Sequence, residues 1–314
     1  MRTAYLVFNP HAGRFPSRML TERAAEVLTQ QNWQIRLEQT SGGLEITQLA
    51  RQAASEQTDV FFVAGGDGSV NLATAGLVGT QTALGVLPAG TSNVWAQELG
   101  LPGLTYARWL ALEESAQRLA NGETRWVDVG YCSQQPFLLW AGVGLDGFIV
   151  HHLEPRSRWE KHFAVVSYAA RAVRHAGFWS GMDLQAVADG QQISGRYLMA
   201  VVSNIHLYAG GLAEISPQAR LDDGIMDLWL FAGETVLETV QHAWDLFSGH
   251  HLHSDRARCV QFNQLRLTSD QPMYIQLDGE PAEGGGQVDI EVRSKALKIL
   301  VPEKASRVLF SEED

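Results

Sequence analysis

Val63-Ala-Gly-Gly-Asp-Gly-Ser-Val-Asn71 joins a strand-like segment to a helix-like one. Before it, Asp59-Val-Phe-Phe-Val63 is a short apolar, aromatic and β-branched run, the pattern of a parallel strand buried on both faces. After it, Val70-Asn-Leu-Ala-Thr-Ala-Gly-Leu77 reads as the opening of a helix. Gly65, Gly66 and Gly68 let the turn take positive φ and let a ligand approach its main chain closely. The N–H groups of such a turn and of a helix start suit phosphate oxygens. Asp67 is unusual in that cradle, because its carboxylate repels phosphate unless a metal ion or a hydroxyl proton lies between them. Taken alone, the motif is equally a plain turn with a surface Asp.

The surrounding chain alternates strand and helix. Tyr5-Leu-Val-Phe8 reads as a strand closed by Asn9-Pro-His-Ala-Gly13, with a helix to about Gln30. Trp33 to Thr40 alternates as a strand, and Leu44 to Ser55 is helical. Ala83-Leu-Gly-Val-Leu87 is a fourth strand, followed by Pro88-Ala-Gly-Thr-Ser-Asn93 and a helix through Leu99. Thr105 to Asn121 reads as one further helix. This order predicts an α/β domain with a doubly wound parallel sheet. Ligands bind such sheets at the carboxyl ends of the strands. Three polar loops, Asn9 to Gly13, Gly65 to Asn71 and Gly90 to Asn93, fall at that edge with Thr40.

Near Thr124 the pattern changes. Arg125–Tyr131, Pro136–Ala141, Met182–Val187, Gly195–Ser203, Met226–Phe231, Val260–Leu267 and Met273–Leu277 read as strands, predicting a β-sandwich-like second domain. Helices are expected around Lys161–His175 and Thr235–Phe247, and Ala296–Val301 is a last strand. The expected boundaries are 1–124, 125–295, and a C-terminal strand and tail, 296–314, returning to the first domain.

With 314 residues the chain can bury two cores. Its net charge of −11 argues against nonspecific nucleic-acid binding. Cys132 and Cys259 lie far apart without metal-ligand spacing and read as buried free thiols. Met1 leads directly into the first strand, leaving no room for a signal peptide, and no run reaches the length of a membrane span. The expected location is cytoplasmic, with peripheral contact at the inner face of the membrane.

Together the loops resemble the diacylglycerol kinase catalytic-domain family, in its bacterial soluble lipid-kinase branch. The residues carrying the resemblance are Asn9-Pro-x-x-Gly13, Gly65-Gly-Asp-Gly-Ser69 with Asn71, Leu87-Pro-Ala-Gly-Thr-Ser-Asn93, Val127-Asp-Val-Gly130, Ala219-x-Leu-Asp-Asp-Gly224 and Leu277-Asp-Gly-Glu-Pro281. They span nearly the whole chain in the family's order. The resemblance implies a nucleotide domain, a β-sandwich domain and a cleft between them. It implies transfer of the γ-phosphoryl group of ATP to the hydroxyl of diacylglycerol or a similar lipid alcohol. ATP would meet Asn9, Pro10, His11, Ala12 and Gly13, then Thr40, Gly65, Gly66, Asp67, Gly68, Ser69, Val70 and Asn71, and Thr91. Glu280 would accept the hydroxyl proton, with Asp278, Asp67 and Asp128 as an acidic network. Mg²⁺ would sit at Asp223 with the carbonyls of Arg220 and Ile225.

The residue chemistry is compatible with this. No Gly-Lys-Ser/Thr is present, so the phosphates would rely on main-chain amides and Mg²⁺, which takes oxygen ligands and keeps waters. Two positions depart from the family pattern: Leu72 and Val94 stand where it usually has Glu and often has Asp.

Other signals have competing explanations. Gly142-Val-Gly-Leu-Asp-Gly147 fits a dinucleotide fingerprint but lacks a surrounding βαβ unit, so a turn leaving a sandwich strand is favoured. His250, His251 and His253 lack the rigid spacing of a zinc site and read as a solvated loop. Asp222-Asp223-Gly224 fits an ordinary turn as well as a metal ligand, and Asp278-Gly-Glu280 fits a hairpin as well as a catalytic loop. Arg156, Arg158, Lys161, Arg171 and Arg174, interleaved with Phe163 and Tyr168, fit either a membrane-facing helix or a solvated one. Expected partners are a lipid alcohol, a membrane surface and a second copy in a homodimer, but not nucleic acid. Rival readings are a soluble-acceptor kinase of NAD-kinase type and a non-catalytic nucleotide- or lipid-binding regulator.

Overall fold

The computed structural model describes residues 1–10, 17–105, 107–152, 179–305 and 307–311. The chain divides into two units. One comprises Met1–Val129, Leu221–Asp223 and Ser294–Asp314; the other comprises Gly130–Arg220 and Gly224–Arg293.

The first unit is built in chain order from β1 (Arg2–Phe8), α1 (Ser17–Gln30), β2 (Trp33–Gln39), α2 (Gly43–Ser55), β3 (Val60–Gly65), α3 (Asp67–Leu77), β4 (Ala83–Pro88), α4 (Val94–Glu98), α5 (Ala111–Ala120) and the start of β5 (Glu123–Cys132). The strands run in the order β2-β1-β3-β4, and every pairing among them is parallel. Every residue of β3 and β4 is buried, as their unbroken apolar runs require of strands covered on both faces. The edge strand β2 is covered only in part: Trp33 is buried and Ile35 half-buried, while Leu37 is exposed. Right-handed crossovers then put α1 on one face and α2 and α3 on the other. The packing follows: α1 contacts α5, and α2 contacts α3.

The chain leaves β1 toward β2 and returns past it to β3, so the winding direction reverses between β1 and β3. That reversal opens a crevice at the carboxyl edge of a doubly wound sheet. Phe8 pairs with Ala64, and Gly65 with Pro88, so the loops after β1, β3 and β4 all begin at this edge. The helix expected over 105–121 starts only at Ala111.

The second unit is antiparallel and sandwich-like. It contains β6 (Gln135–Phe137), β7 (Trp140–Gly144), α6 (Leu145–His152), β8 (Met182–Ala188), β9 (Gln191–Ser203), β10 (Leu207–Tyr208), β11 (Ala213–Glu214), β12 (Met226–Ala232), α7 (Val236–Ser248), β13 (Ala257–Phe262), β14 (Gln264–Thr268), β15 (Ile275–Leu277), β16 (Glu280–Ala282) and the start of β17 (Gln287–Val301). The strand order is β16-β15-β7-β9-β8-β14-β17, with β12 joining β9 to β13. Inward residues such as Phe137, Val143, Leu184, Leu228, Phe262, Leu267 and Ile290 share one core.

Two strands expected to be continuous are broken. The 136–141 run is interrupted at Leu138 and Leu139, whose amides bond a side chain instead of a neighbouring strand. The 260–267 run breaks at Asn263, where the Asp189 carboxylate accepts from the N–H groups of Asn263 and Gln264. The last strand begins at Gln287, earlier than expected. From Ser294 on it belongs to the first unit, where Ile299 pairs in parallel with Leu84. The helix expected at Lys161–His175 and the basic residues there lie outside the described residues. Among the described residues, no helix is long and apolar enough to cross a membrane.

Candidate functional site

In the first unit the loops after β3 and β4 are packed main chain to main chain. The N–H groups of Ala89 and Gly90 donate to Gly65 O at 3.0 and 3.2 Å. A Cβ on Gly66 would lie 3.2 Å from Gly90 Cα, and one on Gly90 would overlap Gly66 Cα. A Cβ on Gly65 would meet Ser69 Oγ at 2.6 Å. These glycines are therefore set by the approach of loop to loop and of loop to helix. Asn93 closes the second loop in the left-handed conformation, at φ 53° and ψ 46°. Its Oδ1 accepts from Gly90 N–H at 2.8 Å, and its Nδ2 donates to Gly90 O at 3.0 Å.

Asp67 opens α3, but its carboxylate is directed at the start of α4. Oδ1 accepts from Trp95 N–H at 3.1 Å. Burial raises the Asp67 carboxyl above the usual Asp range, and the nearby main-chain N–H groups of Trp95, Val94, Asp67 and Asn93 only partly offset it. Asp67 thus ties the two loops together. Leu72 lies over Gly43 at the start of α2, with Cδ1 2.8 Å from where a Gly43 Cβ would stand. Val94 is buried as the first residue of α4. The two departures from the family pattern are thus packed as apolar side chains.

Thr40 is buried at the end of β2, and both its N–H and its Oγ1 donate to Phe8 O, at 2.9 and 3.3 Å. Asn9, Pro10, Gly68, Ser69 and Asn71 are half-buried along the same edge, and Thr91 is exposed. Val70 faces the core, and its N–H donates to Gly66 O at 3.1 Å, so it offers a ligand neither side chain nor amide. His11, Ala12 and Gly13 lie outside the described residues.

Asp128 is fully buried on β5, with Oδ1 accepting from Lys295 N–H at 2.7 Å and its own N–H donating to Leu221 O. It fastens β5 to β17 and to the Leu221–Asp223 segment. Asp222 Oδ1 accepts from Ser311 N–H at 2.7 Å. Asp223 and Arg220 are exposed and Ile225 is half-buried, all in an irregular stretch. Among the described residues, no three His, Cys, Asp or Glu side chains gather as a metal site. A cation at Asp223 would therefore lean on main-chain carbonyls and water, a donor set that suits Mg²⁺.

In the second unit, Leu277 pairs with Glu280 across a two-residue turn, Asp278 at φ 50° and Gly279 at φ 85°. Two successive left-handed residues match a hairpin turn whose twist suits the strands. The Asp278 carboxylate is buried. Oδ2 accepts from Leu138 N–H at 2.9 Å, and Oδ1 from Leu139 and Trp140 N–H at 2.8 and 3.1 Å. Buried Gln276 supplies a second anchor: its Oε1 accepts from Gly279 N–H at 2.8 Å, while its Nε2 donates to Asp146 Oδ2 at 2.7 Å. The neighbouring Glu280 is an exposed residue. The turn is thus held rigidly at its base and presents Glu280 outward. Of the four expected acids, Asp67 and Asp128 belong to the first unit and Asp278 and Glu280 to the second.

Gln276, Asp146 and the Leu138–Trp140 amides carry no local sequence signal for these bonds. Asp146 was visible only inside the Gly142–Gly147 motif, and the structure gives that motif its purpose. A Cβ on Gly142 would overlap Asp146 Oδ2, and one on Gly147 would overlap Tyr274 O. The glycines make room for protein, β7 pairs antiparallel with β9 and β15, and α6 follows where a turn was expected. His251 is buried, unlike the solvated loop expected, with Nε2 3.0 Å from Ile215 O and its ring edge-on to Trp229. Both cysteines are free thiols; Cys132 is buried, but Cys259 is exposed, against expectation.

Residues 3–132 match the family model for the diacylglycerol kinase catalytic domain. Residues 141–301, just over half of the chain, match the model for the YegS C-terminal NAD kinase beta sandwich-like domain. The chain is similar to a Mycobacterium tuberculosis diacylglycerol kinase, with 30% identity over 81% of this chain and 80% of that one. It is 24% identical to the Bacillus subtilis diacylglycerol kinase over 89% of this chain and 90% of that one. A crystal structure described as a diacylglycerol kinase from Bacillus anthracis has the same fold, with a TM-score of 0.73, 19% identity, and coverage of 97% of this chain and 98% of that one. The chain therefore belongs to the diacylglycerol kinase catalytic-domain family.

Proposed function

We propose that the protein is a lipid kinase that transfers the γ-phosphoryl group of ATP to the hydroxyl of diacylglycerol or a similar lipid alcohol. The observation that carries this reading is the Asp278–Gly279–Glu280 hairpin. Its buried acid, Asp278, accepts three main-chain amides, which hold in place the turn that carries the exposed residue Glu280. Phosphoryl transfer needs positioning and charge neutralisation more than covalent chemistry. In this reading the loop edge of the first unit, from Gly65 to Thr91, binds the ATP phosphates through main-chain groups. The lipid oxygen forms a bond to the γ-phosphorus as the bond from that phosphorus to the β–γ bridging oxygen breaks. Glu280 takes the hydroxyl proton, and ADP leaves. Mg²⁺, when bound, neutralises phosphate charge; Asp223 is the exposed carboxylate assigned to it.

The test uses labelled ATP, Mg²⁺ and a total lipid extract in mixed micelles. Wild type should yield a labelled lipid. Glu280→Gln should lower turnover by about 10²–10⁴ without lowering the melting temperature, the usual contribution of a positioned base. Equal turnover in the variant would refute the role of Glu280. Because the second family model is named for NAD kinase, NAD⁺ is the soluble control acceptor, and its phosphorylation in place of lipid would overturn the proposal.

A further inference from the structure

α7 is amphipathic with its apolar stripe facing outward. A capping box fixes its start: Thr235 Oγ1 accepts from Glu238 N–H, and the Glu238 carboxylate accepts from Thr235 N–H. Its inward side includes buried His242, whose Nε2 lies 2.7 Å from Ala232 O, together with Leu246. The outward side carries Leu237, Val240, Trp244 and Phe247, at 67, 43, 69 and 50% exposure. Spacings of three, four and three residues align them in one stripe. The helix's two acids, Glu238 and Asp245, lie off that stripe and are half-buried. Leu252, on the short turn His250–His253 packed against α7, is another exposed apolar side chain.

We infer that α7 is a membrane-contact element whose stripe rests on the surface of a lipid bilayer. An uncharged face of Trp, Phe, Leu and Val is the composition of a helix lying in the interfacial zone. Its size excludes a stable protein partner held by this face alone. Leu237 to Phe247 spans about 15 Å along a helix about 10 Å wide, a footprint far below the ~800 Å² per partner of a stable interface. The groove along α7 is lined by Arg256 beside Val240 and Trp244 and also by Asp245 and Asp255, and Arg256 bonds Gln241 Oε1 at 3.1 Å and stands 3.6 Å from Glu238, so charge does not decide the occupant. The inference rests on the lipid-kinase reading, to which it adds the surface that meets the bilayer holding the acceptor. It is separate in sequence from the basic segment 156–174, which lies outside the described residues.

Wild type, Trp244→Gln/Phe247→Gln and Leu237→Gln are floated with phosphatidylcholine–phosphatidylglycerol vesicles, with light scattering and melting curves in parallel. All three positions are exposed, so melting should be unchanged. The double variant should lose about tenfold or more in vesicle partition, the effect of withdrawing two partly exposed aromatics from apolar contact. Leu237→Gln should lose partition in the same direction, and stands in if the double variant does not fold. Turnover on a short-chain diacylglycerol dissolved as monomers should stay at the wild-type value. Undiminished partition of the variants, or no flotation of wild type, overturns the inference. Conversion of a dimer to a monomer with partition retained assigns the stripe to a second copy and also overturns it. Flotation that depends on α7, from a protein that phosphorylates no lipid, refutes the kinase reading and leaves the membrane contact standing.

Discussion

Replacing Asp278 tests how the hairpin that carries Glu280 is held. Its two oxygens accept three main-chain N–H groups at 2.8–3.1 Å, and the residue is only 6% exposed. Hydrogen bonds to a charged group contribute about 1.5–3 kcal/mol each, and a buried donor left without an acceptor costs about 1–3 kcal/mol. Asn keeps one carbonyl oxygen. Its better orientation keeps the Leu139 and Trp140 bonds as neutral ones and turns an NH₂ against the Leu138 N–H. Asp278→Asn should therefore cost about 2–4 kcal/mol. Ala abandons all three amides and adds about 1–2 kcal/mol for a non-Gly, non-Asn residue at φ 50°. Its total of about 5 kcal/mol or more is comparable with the whole stability of a domain. Amide hydrogen exchange reads this locally. In Asp278→Asn, protection should fall most at Leu138 and less at Leu139 and Trp140, and turnover should fall with Glu280 still present. Unchanged protection at Leu138 would refute the clamp.

Two further outcomes follow from packing and burial. Gly90→Ala should destabilise the first unit by about 1–3 kcal/mol in thermal melts, because its Cβ meets Gly66 main chain that cannot step aside. Gly42→Ala is the control: its Cβ would have nothing within 4 Å, and it should stay within about 0.5 kcal/mol of wild type. Burial raises the Asp227 carboxyl, and the hydrogen bonds from Ser216 and Gln261 and the nearby His206 only partly offset it. A carboxyl with a raised folded-state pKa holds its proton more tightly when folded, so this group's contribution to stability falls as pH rises above the ordinary Asp range. Asp227→Asn should then show less loss of stability between acid and neutral pH than wild type, measured by melting at a series of pH values. An unchanged slope would refute the assignment.

Much of the first unit was legible in the chain. Continuous apolar runs such as Val60–Ala64 can be satisfied only by a strand covered on both faces, and Gly and Asn at fixed offsets marked the loops at its carboxyl edge. The hairpin at Asp278–Gly279 was legible too, because two adjacent residues that tolerate positive φ mark such turns. What those residues bond was not legible. Asp278 finds its amides some 140 positions away, and Asp67 finds α4 28 positions on. No local pattern distinguishes an acid that binds amides from one that binds a metal. The breaks at Leu138 and Asn263 were hidden for the same reason, since each follows from a distant carboxylate taking amides that a strand would have used.

The sequence by itself determined which segments could be strands and helices and where the main chain could turn tightly, because periodicity and φ preference are local. Tertiary structure alone decided that Asp67 and Asp278 accept distant main-chain amides and that Glu280 stands at an exposed position. It also assigned Leu221–Asp223 to the first unit. The same holds for α7: its 3-4-3 apolar spacing fits a core-facing helix equally well, and only the packing of its His242 and Leu246 side inward leaves Trp244 and Phe247 exposed. Burial depends on what the rest of the chain brings alongside, and that is not written in the segment itself.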